Sequence, residues 1–258
     1  MPFSKFFRLA DVMARMALRA DATKFFLGYI WWVLEPLLYV AVLYVVFSVI
    51  LANRQPDFLY FLMTGKLAFT WFSKSVTQAS NSIVGSKGLV GKVHVPKTLF
   101  PLASVQEGLY KQVAVFALLF GVLLYGGYGV TITWVYLVPI IIINYVMILA
   151  CAYLGATLVC VVRDFAPLIS LGMIFLMFTS GIFWDVRDLG DPDKSALVLA
   201  LNPLAFMFDA YRQVLMYATP PDMLHLLVIG VGFGALLACM VVVMRRSSQY
   251  LALRTLTA

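Results

Sequence analysis

Apolar residues fall into long runs separated by short polar segments, which is the pattern of a protein with several membrane-spanning helices. A bilayer core of about 30 Å needs about 20 apolar residues in a helix. We therefore expect six transmembrane helices, at about residues 37–51, 58–79, 105–125, 133–162, 165–184 and 224–244. The first is short unless residues 31–36 already lie partly in the bilayer. The fourth is interrupted by Pro139 and Gly155, and the glycine-rich segment 126–129 before it predicts a tight turn.

Residues 8–24 predict an amphipathic helix that lies at the membrane interface. Spacings of three and four residues define its two faces, with Arg8, Asp11, Arg15 and Arg19 on the polar face and Leu9, Val12, Met13, Met16 and Ala20 on the apolar face. Such a helix lies in the headgroup plane. It is either a plain membrane anchor or a helix that gates access from the cytoplasm or docks a partner.

The segment after this helix predicts a bend at the mouth of the first span. Trp31 and Trp32 favour the depth of the lipid headgroups. Pro36 lacks a backbone N–H and disfavours a helical conformation at Glu35. We expect the chain to bend at Glu35-Pro36 and then to enter the bilayer.

Two further segments are expected not to span the membrane. The loop 81–104 mixes apolar and basic residues, so it either rests on the headgroups or inserts a short helix into a partner's groove. The segment 185–222 contains two apolar pieces, 196–201 and 204–216, separated by Asn202-Pro203. Each is too short to cross a bilayer. They form either a surface loop or a pair of re-entrant helices before the last span, which requires cover from protein or an aqueous cavity.

Composition and charge support one membrane domain covering residues 1–258. Hydrophobic residues make up 63% and charged residues 12%, which is too apolar for a water-soluble domain. The net charge of +7 reflects basic residues beside the apolar runs, so it indicates orientation and not nucleic-acid binding. The basic residues favour the N-terminus, the loop 81–104, Arg163 and the C-terminal tail. We therefore expect a multi-pass protein with both termini in the cytoplasm.

Two lysines inside the second predicted span suggest a polar path through the membrane. Intramembrane cations usually face protein or water, although lysines near a helix end also snorkel to the interface. Aromatic faces suit the C–H faces of sugars, although Trp and Tyr also form membrane belts. The candidate substrate path is formed by Trp31, Trp32, Tyr39, Tyr44, Lys66, Trp71, Phe72 and Lys74.

The sequence offers little support for chemistry in this chain. Residues 86–93 resemble a phosphate-binding loop, but Ser86 replaces the first glycine and Val93 replaces the Ser or Thr. We therefore expect ATP, if it drives transport, to bind another subunit. Cys151, Cys160 and Cys239 have no metal-type spacing, and the two histidines do not predict a metal cluster. We expect no catalytic residue, no metal site and no cofactor bound by this chain.

Five segments together resemble the ABC-2 type permeases that export polysaccharides such as O-antigen, capsule or teichoic acid. The run 27–36 resembles the family's entrance motif. The other four follow in the family's order: 92–101, Arg163-Asp164, the run 180–184, and Asn202-Pro203 with Tyr211-Arg212. The match covers nearly the whole chain, and the order of the segments is more specific than any one of them.

The resemblance implies a homodimer with a channel between the protomers, and two copies of a cytoplasmic ABC ATPase that bind ATP and Mg. It implies export of a lipid-linked polysaccharide across the cytoplasmic (inner) membrane, with this chain as a non-enzymatic permease. The implied ATPase-coupling residues are Arg15, Arg19, Lys87, Leu89, Lys92, Val93, Pro96, Arg163 and Asp164. The implied outer-gate residues are Trp184, Asn202, Pro203, Phe206, Tyr211 and Arg212.

Lys66 and Lys74 depart from this family pattern, and we interpret them as a possible adaptation to an acidic or phosphate-bearing substrate. Two other functions stay open. One is an ABC-2 permease for a drug or small lipid. The other is a polytopic enzyme that modifies glycolipids, which should show clustered acidic or His residues at a membrane face. A secondary transporter is disfavoured because the chain has no internal repeat and no acidic residue deep in a span.

Overall fold

The computed structural model describes residues 3–24, 26–50, 57–90 and 95–257, and in this part of the chain every regular element is a helix. The all-helical prediction is therefore confirmed. The helices are α1 (Phe3–Ala22), α2 (Trp31–Tyr44), α3 (Phe58–Ser80), α4 (Ser82–Gly85), α5 (Lys87–Val90), α6 (Leu99–Tyr125), α7 (Leu137–Val161), α8 (Phe165–Thr179), α9 (Pro192–Leu201), α10 (Pro203–Leu215), α11 (Met223–Arg246) and α12 (Ser248–Thr257).

Four described helical stretches are long and apolar enough to cross a membrane, which makes this a multi-pass membrane protein. They are Gly28–Ile50, Leu99–Tyr125, Ile132–Val161 and Met223–Arg246, and they match the first, third, fourth and sixth predicted spans. The helix α3 has 23 residues but carries two lysines, and α8 has 15 residues, or about 22 Å. The second and fifth spans, and so the count of six, stay predictions.

The non-helical conformation predicted at Glu35 is wrong, because helical structure runs through Glu35 and Pro36. It begins at Gly28 and continues to Ile50, with a wider π-helical turn over its last six residues. A proline inside a helix removes one backbone hydrogen bond. Pro36 is buried against the protein, and this packing offsets the loss. The first span is therefore longer at its N-terminal end than predicted.

The amphipathic helix α1 forms as predicted, while its place at the membrane interface stays a prediction. Its buried face is shifted from the predicted one: Ala10, Ala14 and Ala22 are buried and Leu9 and Met13 pack partly against the core, whereas Val12 and Met16 are exposed. The small alanines allow α1 to pack closely against α6. The rotation is fixed by polar contacts that the apolar pattern does not reveal, since Asp11 accepts a hydrogen bond from the Tyr110 hydroxyl of α6.

The central helix is α3, and two glycines bring its neighbours close to it. A Cβ atom added to Gly108 of α6 would collide with the Ser75 hydroxyl, and one added to Gly155 of α7 would collide with the Ser80 hydroxyl. The helix α7 runs unbroken through Gly155, so the interruption predicted there is wrong. Pro139 is the third residue of α7, where an N–H has no helical partner, so it does not interrupt the helix either.

Replacing Gly155 should separate α3 from α7. Gly155→Leu inserts a side chain where the Ser80 hydroxyl already lies, and overpacking of this kind costs about 1–3 kcal/mol. We expect a lower melting temperature in detergent, measured as the fraction that stays monodisperse after heating. The matched control is Gly121→Leu in α6, where an added Cβ meets nothing within 4 Å. Equal losses in the two variants would contradict the close α3–α7 contact.

Candidate functional site

A cavity of about 870 Å³ lies among α2, α3, α6 and α8. Six of the eight predicted path residues line it, namely Trp31, Trp32, Tyr39, Lys66, Trp71 and Lys74. The other two do not. Phe72 is buried in the hydrophobic core, and Tyr44 packs against that core. The structure thus collects most of the predicted aromatic and basic residues around one space.

The two lysines of α3 have different surroundings in this cavity. The Lys74 ammonium lies 2.6 Å from the Glu35 carboxylate, so it ties α3 to α2. The Lys66 ammonium lies 3.2 Å from the Met177 sulfur of α8. It also lies 5.5 Å from the centre of the Tyr39 ring and 5.6 Å from that of Phe69. Lys74 is therefore neutralised by an ion pair, whereas Lys66 contacts soft, polarisable groups.

A polar cluster joins α1 to the cavity wall. We call it the α1 clamp, and it consists of Asp21, Trp32, Gln78, Glu107 and Lys111. Lys111 of α6 lies 2.7 Å from the Asp21 carboxylate and 2.8 Å from that of Glu107. The Trp32 indole N–H donates to Asp21 over 3.2 Å, and the Gln78 amide donates to Glu107 over 2.9 Å. Asp21, Trp32, Gln78 and Lys111 also line the cavity. Sequence reasoning missed this clamp, because its members are far apart along the chain.

Both aspartates of α1 have pKa values below the ordinary range. The Tyr110 hydroxyl lowers the pKa of Asp11 by hydrogen bonding, and Arg15 lowers it further. Burial raises the pKa of Asp21, but the hydrogen bond and charge of Lys111 and the hydrogen bond from Trp32 outweigh this effect. Both aspartates are therefore ionised throughout the physiological pH range.

The predicted ATPase-coupling residues are only partly within the described chain. Arg15, Arg19, Lys87, Arg163 and Asp164 are exposed, and Pro96 is half-buried. Lys92 and Val93 lie outside the described residues, as does the side chain of Leu89. The coupling role of this set stays a prediction.

The C-terminal tail forms a helix that sequence reasoning did not predict. It packs against α5 and the end of α7, where the Cys160 thiol donates to the Leu251 carbonyl over 3.4 Å. This places α12 beside α5, which lies in the loop 81–104.

Asn202 fixes the break between α9 and α10. Its side-chain oxygen accepts hydrogen bonds from the Leu204 and Ala205 N–H groups, at 3.1 and 3.2 Å, and so caps α10. Its amide nitrogen donates to the Thr179 carbonyl and the Ser180 hydroxyl at the end of α8. Pro203 then occupies the first turn of α10, where no N–H is needed. One side chain thus both starts α10 and attaches it to α8.

Arg212 joins α10, α3 and the turn after α8. Its side chain is only 2% exposed, and its guanidinium lies 3.4 Å from the centre of the Phe61 ring. It donates to the carbonyls of Gly181 (2.7 Å), Ile182 (3.3 Å) and Phe61 (3.3 Å). Gly181 has φ of +69°, which favours glycine and ends α8 earlier than predicted. The buried cation therefore satisfies the carbonyls of Gly181 and Ile182, which lie outside any helix, and adds a contact to Phe61 of α3.

The remaining predicted gate residues, Phe206, Tyr211 and Trp184, also contact neighbouring elements of the protein. Phe206 stacks on His225 with ring centres 4.2 Å apart. The Tyr211 hydroxyl lies 3.4 Å from the Asn144 amide, and the Trp184 indole donates to the Phe178 carbonyl. Every residue of α10 after Pro203 is buried, whereas α9 buries none of its residues. The structure brings these residues together, while their role as an outer gate stays a prediction.

Asp209, for which the sequence predicted no role, is buried. Its carboxylate accepts two hydrogen bonds from Arg187, each 2.8 Å long, and one of 2.6 Å from Gln213. The hydrogen bonds that Arg187 donates to Asp209 raise the pKa of Arg187. Among the described residues, no group of three or more His, Cys, Asp or Glu side chains is placed to hold a metal ion.

The chain belongs to the ABC-2 type transporter family, whose sequence pattern matches residues 13–216. It is 27% identical over 215 residues to the O-antigen export system permease protein RfbA of Klebsiella pneumoniae, covering 83% of this chain and 82% of that protein. It is 28% identical over 212 residues to the protein of the same name from Myxococcus xanthus, covering 81% of each chain. The resemblance found in the sequence motifs is thus confirmed at the level of the family.

Removing the charge of Arg212 should destabilise the fold. Arg212→Met leaves the carbonyls of Gly181 and Ile182 buried without their donor and removes the contact to Phe61 of α3, so we expect a loss of about 3 kcal/mol. Thermal unfolding in detergent measures this loss. Arg246→Met, at an exposed position in the last turn of α11, is the matched control. An unchanged melting temperature for Arg212→Met would show that these carbonyls do not depend on it.

Removing Lys111 should release α1 from α6. In Lys111→Met the Asp21 and Glu107 carboxylates lose their shared cation, so we expect faster amide hydrogen exchange across residues 3–22. Lys24→Met removes an exposed partner 3.7 Å from Asp21 and is the control.

The same clamp should weaken in acid. Because the pKa of Asp21 is lowered in the folded protein, its stabilisation is complete above the ordinary Asp pKa of about 4 and is lost as pH falls further. Protection of the α1 amides from exchange, corrected for the intrinsic exchange rate at each pH, should therefore fall below about pH 4 in the parent protein. Amide exchange across residues 3–22 that is as slow in Lys111→Met as in the parent protein at neutral pH would contradict the clamp.

Proposed function

We propose that the chain is the permease subunit of an ATP-driven exporter that moves a lipid-linked polysaccharide across the inner membrane. The observation that carries this proposal is the match to O-antigen export permeases over more than four-fifths of both chains. The aromatic cavity supports it, since Trp31, Trp32 and Trp71 offer flat faces of the kind on which sugar rings stack. The chain itself performs no chemistry, and the energy comes from ATP and Mg on separate subunits.

The working assembly is a homodimer with two ATPase subunits on the cytoplasmic side. Large apolar side chains of α2 and α8 are exposed in the single chain, including Leu38, Val42, Leu168, Leu171 and Phe175. These two helices also border the cavity, so a second copy placed against them would enclose it. The distribution of basic residues supports cytoplasmic termini. Orientation, dimer and ATPase partner are parts of the same proposal.

Coupling in this proposal runs through the inner loop and α1. The ATPases would press on the loop 81–104 and on the exposed Arg15, Arg19, Arg163 and Asp164. The α1 clamp supports a mechanical route to the cavity, because Asp21 contacts both Lys111 of α6 and Trp32 of α2. At the other end, the joint at Asn202 would let the α9–α10 pair, which we propose to be re-entrant, act as an outer gate.

A second candidate is an ABC-2 permease for a drug or small lipid. The cavity of about 870 Å³ favours it, because this volume is in the range of pockets that hold drug-sized ligands, about 300–1,000 Å³. The two candidates differ in what a cell loses when the chain is removed.

Deleting the gene for this chain in its own host tests both candidates. We expect surface polysaccharide to disappear and lipid-linked polysaccharide to accumulate inside, measured by surface lectin staining and by mass spectrometry of extracted lipids. A Lys-to-Ala change in the phosphate-binding loop of the partner ATPase should give the same result. Intact surface polysaccharide with a new drug sensitivity would instead support the second candidate, and transport by the purified chain without any ATPase would contradict both.

A further inference from the structure

Lys66 is the cavity-lining cation without a carboxylate partner among the described residues. The other two lysines of the cavity are paired, Lys74 with Glu35 and Lys111 with Asp21 and Glu107. Asp21 and Glu35 are the carboxylates that line the described part of the cavity, and both are already used. Lys66 is nevertheless only 8% exposed. Its side chain is therefore buried without an opposite charge beside it among the described residues.

The groups around the Lys66 ammonium do not replace a carboxylate. The Met177 sulfur at 3.2 Å is a weak acceptor. The Tyr39 and Phe69 rings attract a cation, but at about 5.5 Å each contributes little compared with an ion pair. An unpaired ammonium in an apolar setting is costly, and a Leu or Met at this position would pack without that cost. The charge is thus better explained by a ligand than by the fold.

The rest of the α3 face is suited to the same ligand. Thr70, Ser73 and Lys74 follow Lys66 on the side of α3 that lines the cavity. Lys74 lies eight residues further on, or about 12 Å along the helix axis. Its charge is masked by Glu35 of α2, so a movement of α2 away from α3 would expose a second cation.

We infer that Lys66 is the centre of an oxyanion-binding subsite, which takes a carboxylate or phosphate group carried by the transported glycolipid. This inference rests on the proposed function and adds a substrate class to it, namely a molecule with a negative charge. The oxyanion would replace the missing partner of Lys66 and accept hydrogen bonds from its ammonium. Charge-assisted bonds of this kind favour a charged ligand over its neutral analogue by about tenfold or more.

Binding of matched probes tests this subsite in the full-length protein, embedded in nanodiscs of neutral phosphatidylcholine. Hexyl glucuronide against hexyl glucoside tests a carboxylate on the sugar. Geranyl phosphate against geraniol tests a phosphate on the lipid. Quenching of tryptophan fluorescence reports binding, because Trp31, Trp32 and Trp71 line the cavity.

We expect at least one charged probe to bind about tenfold more tightly than its neutral partner. Lys66→Met should abolish this preference, and Lys66→Arg should retain it. Glu35→Gln should enlarge it, because Lys74 then loses its internal partner. The pair of probes that shows the preference identifies whether the charge belongs to the sugar or to the lipid.

Two results would overturn the subsite. One is equal binding of charged and neutral probes by the parent protein, and the other is an unchanged preference in folded, monodisperse Lys66→Met. Unchanged export in cells carrying Lys66→Leu with Lys74→Leu would also contradict it. These outcomes are separate from the proposed function, since loss of surface polysaccharide on gene deletion does not depend on Lys66.

Discussion

The burial of Arg212 is the interaction on which the packing of α8, α10 and α3 depends. Buried backbone groups outside a regular helix need hydrogen-bond partners from the protein, because leaving them unpaired costs free energy. The turn after α8 creates such groups at Gly181 and Ile182, and Arg212 donates to both. Its hydrogen bond to Phe61 extends the same contact to α3. One guanidinium therefore allows α8 to end, the chain to turn and α10 to return into the protein.

The cavity depends on ion pairs, whereas the packing around Arg212 depends on hydrogen bonds. The ion pair of Lys74 with Glu35 holds α2 to α3, and Lys111 holds α1 to α6. Trp32 connects the two, because its indole contacts Asp21 while its ring lies 5.3 Å from the Lys111 ammonium. The walls of the cavity are thus attached to α1 through polar contacts. Lys66 differs from Lys74 and Lys111 because it forms no ion pair among the described residues.

Most helices could be predicted from the sequence, since apolar runs of about 20 residues leave few alternatives in a membrane protein. Local signals were also enough for the joint at Asn202-Pro203, where a capping side chain precedes a proline. Pro36 misled the prediction because sequence shows the missing N–H but not the packing that offsets it. The face of α1 was misjudged for a similar reason, since small alanines and a distant tyrosine decided its rotation.

The candidate site was harder to predict in detail, because its chemistry depends on partners that are far apart in sequence. The six aromatic and basic residues around the cavity were identified by residue type alone. That Lys74 is paired and Lys66 is not depends on Glu35, Met177 and the approach of α2 and α8 to α3. Asp209 likewise reads as an ordinary surface acid until Arg187 and Gln213 are placed beside it.

The contacts of Arg212 have a consequence for how this family diverges. The arginine binds main-chain oxygens, which every residue type provides, so its hydrogen bonds place no demand on the side chain of residue 182, although its guanidinium also faces the ring of Phe61. Positions that the guanidinium does not touch through their side chains are then free to change as long as the backbone path is kept. A joint built in this way persists while most of the surrounding sequence drifts. It suits a chain that retains little more than a quarter of its residues in common with its relatives.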